Sequence, residues 1–171
     1  MLDRRRLLLT VLVLTASGTA ALSLLHRSDR DVIIERVGEL ADVVDTPQGF
    51  ESPAARRERL ERAVPQLVSQ DVLIDIPELG RTRGRDVLVG WATRAASAEQ
   101  RVDIELGPLE VRVEAEQATV TGEAVLELAT PSQLTEERRR FSLRLEQQGG
   151  SWRVVAITAA ARTHEEPEAR P

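Results

Sequence analysis

From Arg101 almost to the end of the chain, apolar and polar residues alternate with a period of two. Val102, Ile104 and Leu106 alternate with Asp103 and Glu105, and Leu109, Val111 and Val113 with Glu110, Arg112 and Glu114. Beyond a turn near Glu116 come Val120, Ala124, Leu126 and Leu128. After the stretch TPSQLTEE, read as a loop, Phe141, Leu143 and Leu145 alternate with Arg140, Ser142, Arg144 and Glu146. QQGGS reads as a hairpin turn and SWRVVAITA as the last strand. A period of two puts every second side chain on one face, so these runs predict antiparallel neighbours with one face buried and one wet.

The preceding segment has a helical period instead. Over 31–45, Ile33, Ile34, Val37, Leu40, Ala41 and Val44 fall on one stripe, which predicts an amphipathic helix capped by Ser28 or Asp29. TPQGFESP breaks the chain. A second helix is expected over roughly 53–69. It carries Leu60, Ala63, Val64 and Leu67 on one side and the charged run RRERLER on the other, which reads as a solvated surface. A strand of about six residues follows in DVLIDIPELGRTRGR, closed by Pro77 and Gly80. Gly84 opens a short third helix with the stripe Val87, Leu88, Trp91 and Ala95.

Ahead of all this stands MLDRRRLLLTVLVLTASGTAALSLLHRSD. Leu7 to Leu25 carries no charge and would reach roughly 28 Å as a helix, close to the thickness of a bilayer's hydrocarbon core. Arg4, Arg5 and Arg6 precede it and would keep that end in the cytoplasm. Residues 1–28 are therefore expected to be a signal-anchor that holds the chain in the membrane through residues 7–25. A cleaved signal peptide is the rival, with cleavage after Gly18, Ala20 or Ser23 and a secreted or periplasmic product. Either version sends residues 29–163 out of the cytoplasm as one domain. The tail 164–171, HEEPEARP, has too little apolar content to order itself.

Composition removes several classes of function. With 171 residues the chain has room for one domain, and a net charge of -5 offers no broad basic surface for nucleic acid. There is no cysteine, and His26 and His164 are the only histidines, so thiolate chemistry and histidine metal clusters are excluded. No cofactor and no metal are expected. Lys, Asn and Tyr, whose codons are AT-rich, are missing altogether, which points to a GC-rich bacterial genome.

Helix, helix, strand, short helix and then an antiparallel meander is an order that resembles the NTF2-like α+β fold. That cone is shared by nuclear transport factor 2, SnoaL-type cyclases, scytalone dehydratase and ketosteroid isomerase. The resemblance covers roughly residues 31–161 and rests on D-x-x-x-D-x-P-x-x-G-x-x-x-G at Asp71–Gly84 and on GGSWRVVAIT near the end. It implies three N-terminal helices packed on a curved antiparallel sheet. In ketosteroid isomerase the general base is an aspartate immediately before the proline of this turn, and here that position is Ile76. Asp75 stands one residue earlier, and alternation puts it on the opposite face. The isomerase's tyrosine has no counterpart, and its later aspartate aligns with Phe141.

The inward positions of the strands repeat that message: Val72, Ile74, Ile76, Val102, Ile104, Leu106, Val111, Val113, Val120, Ala124, Leu126, Leu128, Phe141, Leu143 and Leu145 include no proton-transfer group. We therefore expect no catalysis. The expected function is binding of an apolar small ligand, through Ile74, Ile76, Leu88, Trp91 and Phe141, or docking of an envelope protein. The alternative is an isomerase, dehydratase or hydrolase using Asp75 as general base, which needs a bulge to turn that side chain inward. Asp71 with Asp75 is too few oxygens for a hard cation. Arg81, Arg83 and Arg85 read as a solvated basic loop, and Arg138 to Arg140 as charges paired with Glu136 and Glu137. The outward strand positions carry Asp103, Glu105, Arg112, Glu123, Glu127, Arg144 and Arg153, which disfavours a dry dimer through the sheet face.

Overall fold

In a computed structural model, the structure describes residues 28–45, 51–77, 79–95, 101–130 and 133–161. The expected anchor at Leu7–Leu25 and the tail 164–171 lie outside the described residues. Among the described residues no helix is long and apolar enough to cross a membrane.

Helix α1 is Asp29–Val44. Ser28 caps it, its hydroxyl accepting the Asp31 amide, and Asp29 and Asp31 place negative charge where the helix dipole favours it. The stripe buries Ile33, Val37 and Leu40. Helix α2, Pro53–Leu67, starts at a Ser52 cap with proline in the first turn, where no amide is needed. It buries Leu60, Val64 and Leu67 and holds Pro65 in its last turn. Helix α3, Arg85–Ala95, follows the first two strands. It buries Leu88, Val89 and Ala92, while Val87 and Trp91 are half-buried. The apolar stripe is therefore rotated toward Val89 and Ala92 from the one expected, because α3 packs on α2 as well as on the first strand.

Seven strands form one sheet: β1 Val68–Ile76, β2 Gly80–Arg83, β3 Arg101–Leu106, β4 Glu110–Glu114, β5 Gln117–Thr130, β6 Gln133–Gln148 and β7 Ser151–Ala161. Their spatial order is β2-β1-β7-β6-β5-β3, with β4 also pairing β5. The sheet is mixed, a correction to the antiparallel one expected, because β1 runs parallel to β7, with Ile74 opposite Ile157. Two chain-distant strands meet there, and no turn dictates their relative direction.

Other boundaries shift for identifiable reasons. Strand β1 has nine residues rather than six, since it leaves α2 directly at Val68. Gly80–Arg83 is an edge strand and not a loop: it folds back on β1, with Asp75 opposite Arg81, after Gly80 takes φ +62°. TPSQLTEE is mostly strand too, because Gln133 to Glu137 pair with Thr130 to Leu126 and extend a long hairpin beyond the body. Gly149 and Gly150 close the β6–β7 hairpin at φ +59° and +79°, a backbone shape that costs glycine nothing.

The register aligns the inward residues into rows. Val111, Val120, Leu143, Ile157 and Ile74 lie side by side across five strands, and Val113, Ala118, Leu145, Val154 and Val68 form the next row. The helices cover this face and complete one core, from Ile33 on α1 to Val154 on β7. Each such fully buried aliphatic side chain contributes about 1.5–3 kcal/mol. Trp152 belongs to the core, and its indole N–H reaches Asp29 at 3.4 Å, tying the start of α1 to β7.

One charged residue is built into this interior. Arg56 on α2 is 2% exposed, so RRERLER is not simply a solvated face. Its guanidinium donates to the carbonyls of Ala92 at 2.9 Å, Asp45 at 3.3 Å and Val44. These acceptors are the orphaned carbonyls at the ends of α3 and α1, so a single side chain closes two helix C-termini. Arg59 reinforces the joint by donating to the Val43 and Asp45 carbonyls and holding Glu51 at 2.9 Å.

Candidate functional site

A cavity of 170 Å³ lies between the helices and the inward sheet face. Val37, Leu40, Ala41 and Val44 of α1 form one wall, Leu88 and Trp91 of α3 another. The sheet supplies Ile76, Ile104, Leu106, Ala124, Leu126, Arg139, Phe141, Leu143, Ile157 and Ala159. It exists because the small side chains Ala124 and Ala159 occupy inward positions beside larger ones on neighbouring strands.

Four of the expected ligand positions, Ile76, Leu88, Trp91 and Phe141, line this cavity. Ile74 does not: it is fully buried in the adjacent core row. Asp75 is exposed, on the face of β1 away from the cavity. No bulge falls at that residue, since Leu73, Ile74 and Asp75 pair in unbroken register with both neighbouring strands. Asp71 is exposed as well, and among the described residues no group of three or more His, Asp or Glu side chains is placed to hold a metal ion. Arg81 and Arg83 are exposed on β2, while Arg85 reaches the Val68 carbonyl at 3.4 Å.

The reading from sequence missed Arg139. It lies two residues before Phe141 and shares its face, opposite Ala124, and its side chain is only 11% exposed. It is the single charged side chain of the cavity wall. Glu137, two residues further back and 34% exposed, holds it edge-on: Nε donates to Oε1 at 2.9 Å and Nη2 to Oε2 at 2.7 Å. Of its neighbours in the same run, Arg138 pairs with Glu136 at 3.4 Å and Arg140 with Glu123 at 3.3 Å. The signal was present in the alternation, 139-141-143-145, but three consecutive arginines read as a surface charge run.

The strand β5 is pared down where Phe141 crosses it. A side chain at Gly122 would meet Leu109 Cδ2 at 2.9 Å and the Phe141 ring at 3.1 Å. Glycine here lets Leu109 and Phe141 close over the strand, and Phe141 is thereby held against the cavity. On the outward side, a groove of 730 Å³ runs past Pro108, Thr121, Glu123, Arg138 and Arg140. It is broad and charged, in contrast to the apolar hollow behind it.

Asp45, at the end of α1, has its carboxyl pushed up to about 6. Burial is the main cause, helped by the nearby charges of Asp103 and Asp42, while the Ile104 amide and Arg56 work in the opposite direction. Its Oδ1 is buried without a hydrogen-bond partner among the described residues. Asp45 is not part of the cavity wall.

Solved structures with this architecture are numerous. The Kfla4162 protein from Kribbella flavida superposes with a TM-score of 0.66 at 14% identity, covering 79% of this chain and 91% of its own. An NTF2-like protein with a cystatin-like fold from Novosphingobium aromaticivorans gives a TM-score of 0.61 at 20% identity over 88% of this chain and 92% of its own. A nuclear transport factor 2-like superfamily protein from Salmonella enterica gives 0.62 at 14% identity over 81% and 94%. The chain has the NTF2-like fold: three helices on a curved mixed sheet. No protein-family model matches the sequence, and no curated protein matches it.

Proposed function

We propose that the chain is an exported, membrane-anchored NTF2-like domain that binds a small apolar molecule in the cavity between α1, α3 and the sheet. The observation that carries this reading is the cavity itself, 170 Å³ walled almost wholly by aliphatic and aromatic side chains. A hollow of about 150 Å³ with such a lining has room for a single aromatic ring. The expected guest is therefore one ring or a short branched chain. Binding rather than turnover is favoured because no wall residue is a carboxylate, histidine or tyrosine, and Asp75 faces the other way. Native mass spectrometry of the purified protein is the test. A retained molecule of roughly 6–10 heavy atoms is expected, the size that such a cavity holds. Loss of that molecule in Ala159→Phe, which fills the cavity, would place it there. A wild-type protein that neither retains nor takes up any small apolar compound counts against the reading.

A further inference from the structure

We propose that the cavity selects a small apolar carboxylate, and that Glu137 occupies the ligand carboxylate's place until the ligand arrives. This rests on the binding reading above and adds the chemistry of the guest.

A guanidinium seldom stands in an aliphatic wall, because burying its charge is costly unless an anion meets it. Arg139 is nearly buried, lies opposite Ala124 and shares the cavity wall with Leu106 and Phe141, and it meets a carboxylate in two-point contact, at 2.9 and 2.7 Å. That geometry shows what the arginine's edge accepts: a planar pair of oxygens. The partner is poorly rooted. Glu137 is one-third exposed, outside the cavity wall, and on the distal stretch of the long β5–β6 hairpin. Breaking this pair outright would leave Arg139 buried and unmatched, so Glu137 leaves only as another carboxylate takes its place, and its own exposure lets it return to water. A ligand carboxylate can supply the same two oxygens, while its apolar part fills the adjoining 170 Å³ and gains burial that Glu137 does not offer. The exchange leaves one negative charge against Arg139 and returns the other to solvent, so no unpaired charge is buried. A ligand of one ring bearing one carboxylate fits both the volume and the charge.

Benzoate and nitrobenzene have nearly the same shape and differ in charge, which makes them the probes. Binding of each to the purified full-length chain is measured by isothermal titration calorimetry. Benzoate is expected to bind about tenfold or more tightly than nitrobenzene, the usual worth of a charge-assisted contact. Arg139→Met is expected to bring benzoate down to the level of nitrobenzene, and Glu137→Gln to tighten benzoate alone by removing its competitor. Equal or tighter binding of nitrobenzene overturns the carboxylate selectivity and leaves the cavity reading standing. Failure of both probes overturns both. Should Arg139→Met not fold, as circular dichroism would reveal, Glu137→Gln decides: unchanged benzoate affinity overturns the displacement.

Discussion

At the scale of single residues, the joint around Arg56 explains how three helices meet without leaving carbonyls bare, and beside it burial perturbs the carboxyl of Asp45. Asp45 is a carboxyl whose value rises from 3.8 to about 6 in the folded protein. Between those values the folded chain holds a proton that the unfolded chain has released. Stability therefore falls as pH rises from about 4 to about 6, and the loss persists above that window. Asp45→Asn should remove this fall, so that the variant is more stable than wild type at pH 7 and equal to it at pH 3.5. Urea midpoints measured across that range check the sign, and a wild-type midpoint that rises toward pH 6 in step with the variant's would contradict it. The same scale shows what alternation could and could not tell. It put Asp75 outside and Ile76 at the cavity, because a pleated strand allows no other direction without a bulge. It did not yield Arg56, whose burial depends on carbonyls from two other helices. Arg139 lay within reach of the pattern and was masked by its charge.

At the scale of elements, the hairpin of β5 and β6 organises the site. Its register sets Gly122 against Phe141, and the missing side chain at Gly122 makes room for the ring and for Leu109. Gly122→Ala should push both side-chain ends away from contacts of 2.9 and 3.1 Å, costing about 1 kcal/mol, the low end of overpacking, since both ends can give. Because Phe141 is a cavity wall, the same change should alter ligand retention. Thermal unfolding together with native mass spectrometry measures both effects, and unchanged melting would remove the role given to Gly122. The extent of this hairpin was not legible in TPSQLTEE, since a polar stretch shows no alternation when neither face is buried. The β6–β7 turn was legible, because consecutive glycines after an alternating run have few other uses.

At the scale of the whole molecule, the outward sheet face and the proposed membrane anchor bear on where and how the protein works. The outward face is dense in charge, with exposed Arg112, Arg144 and Glu127, which is unfavourable for dry association. The full-length chain is expected in the membrane fraction, resisting extraction by high salt, with its C-terminal domain accessible to protease from outside the cytoplasm. Recovery of the mature protein from the soluble fraction with its first residues removed would instead mean a cleaved leader.

Periodicity alone determined that two helices, a strand and a third helix precede a run of strands with one apolar face, because burial requires period 3.6 on a helix and period two on a strand. It also placed the inward residues of each strand, since pleating leaves only two directions. Tertiary structure decided what periodicity cannot carry. Strands β1 and β7 lie parallel because the intervening chain brings their edges together, and Arg56 is buried because two helix ends converge on it. The cavity holds Arg139 and not Asp75 because packing leaves space beside Ala124 and Ala159, and space is a property of neighbours distant in sequence.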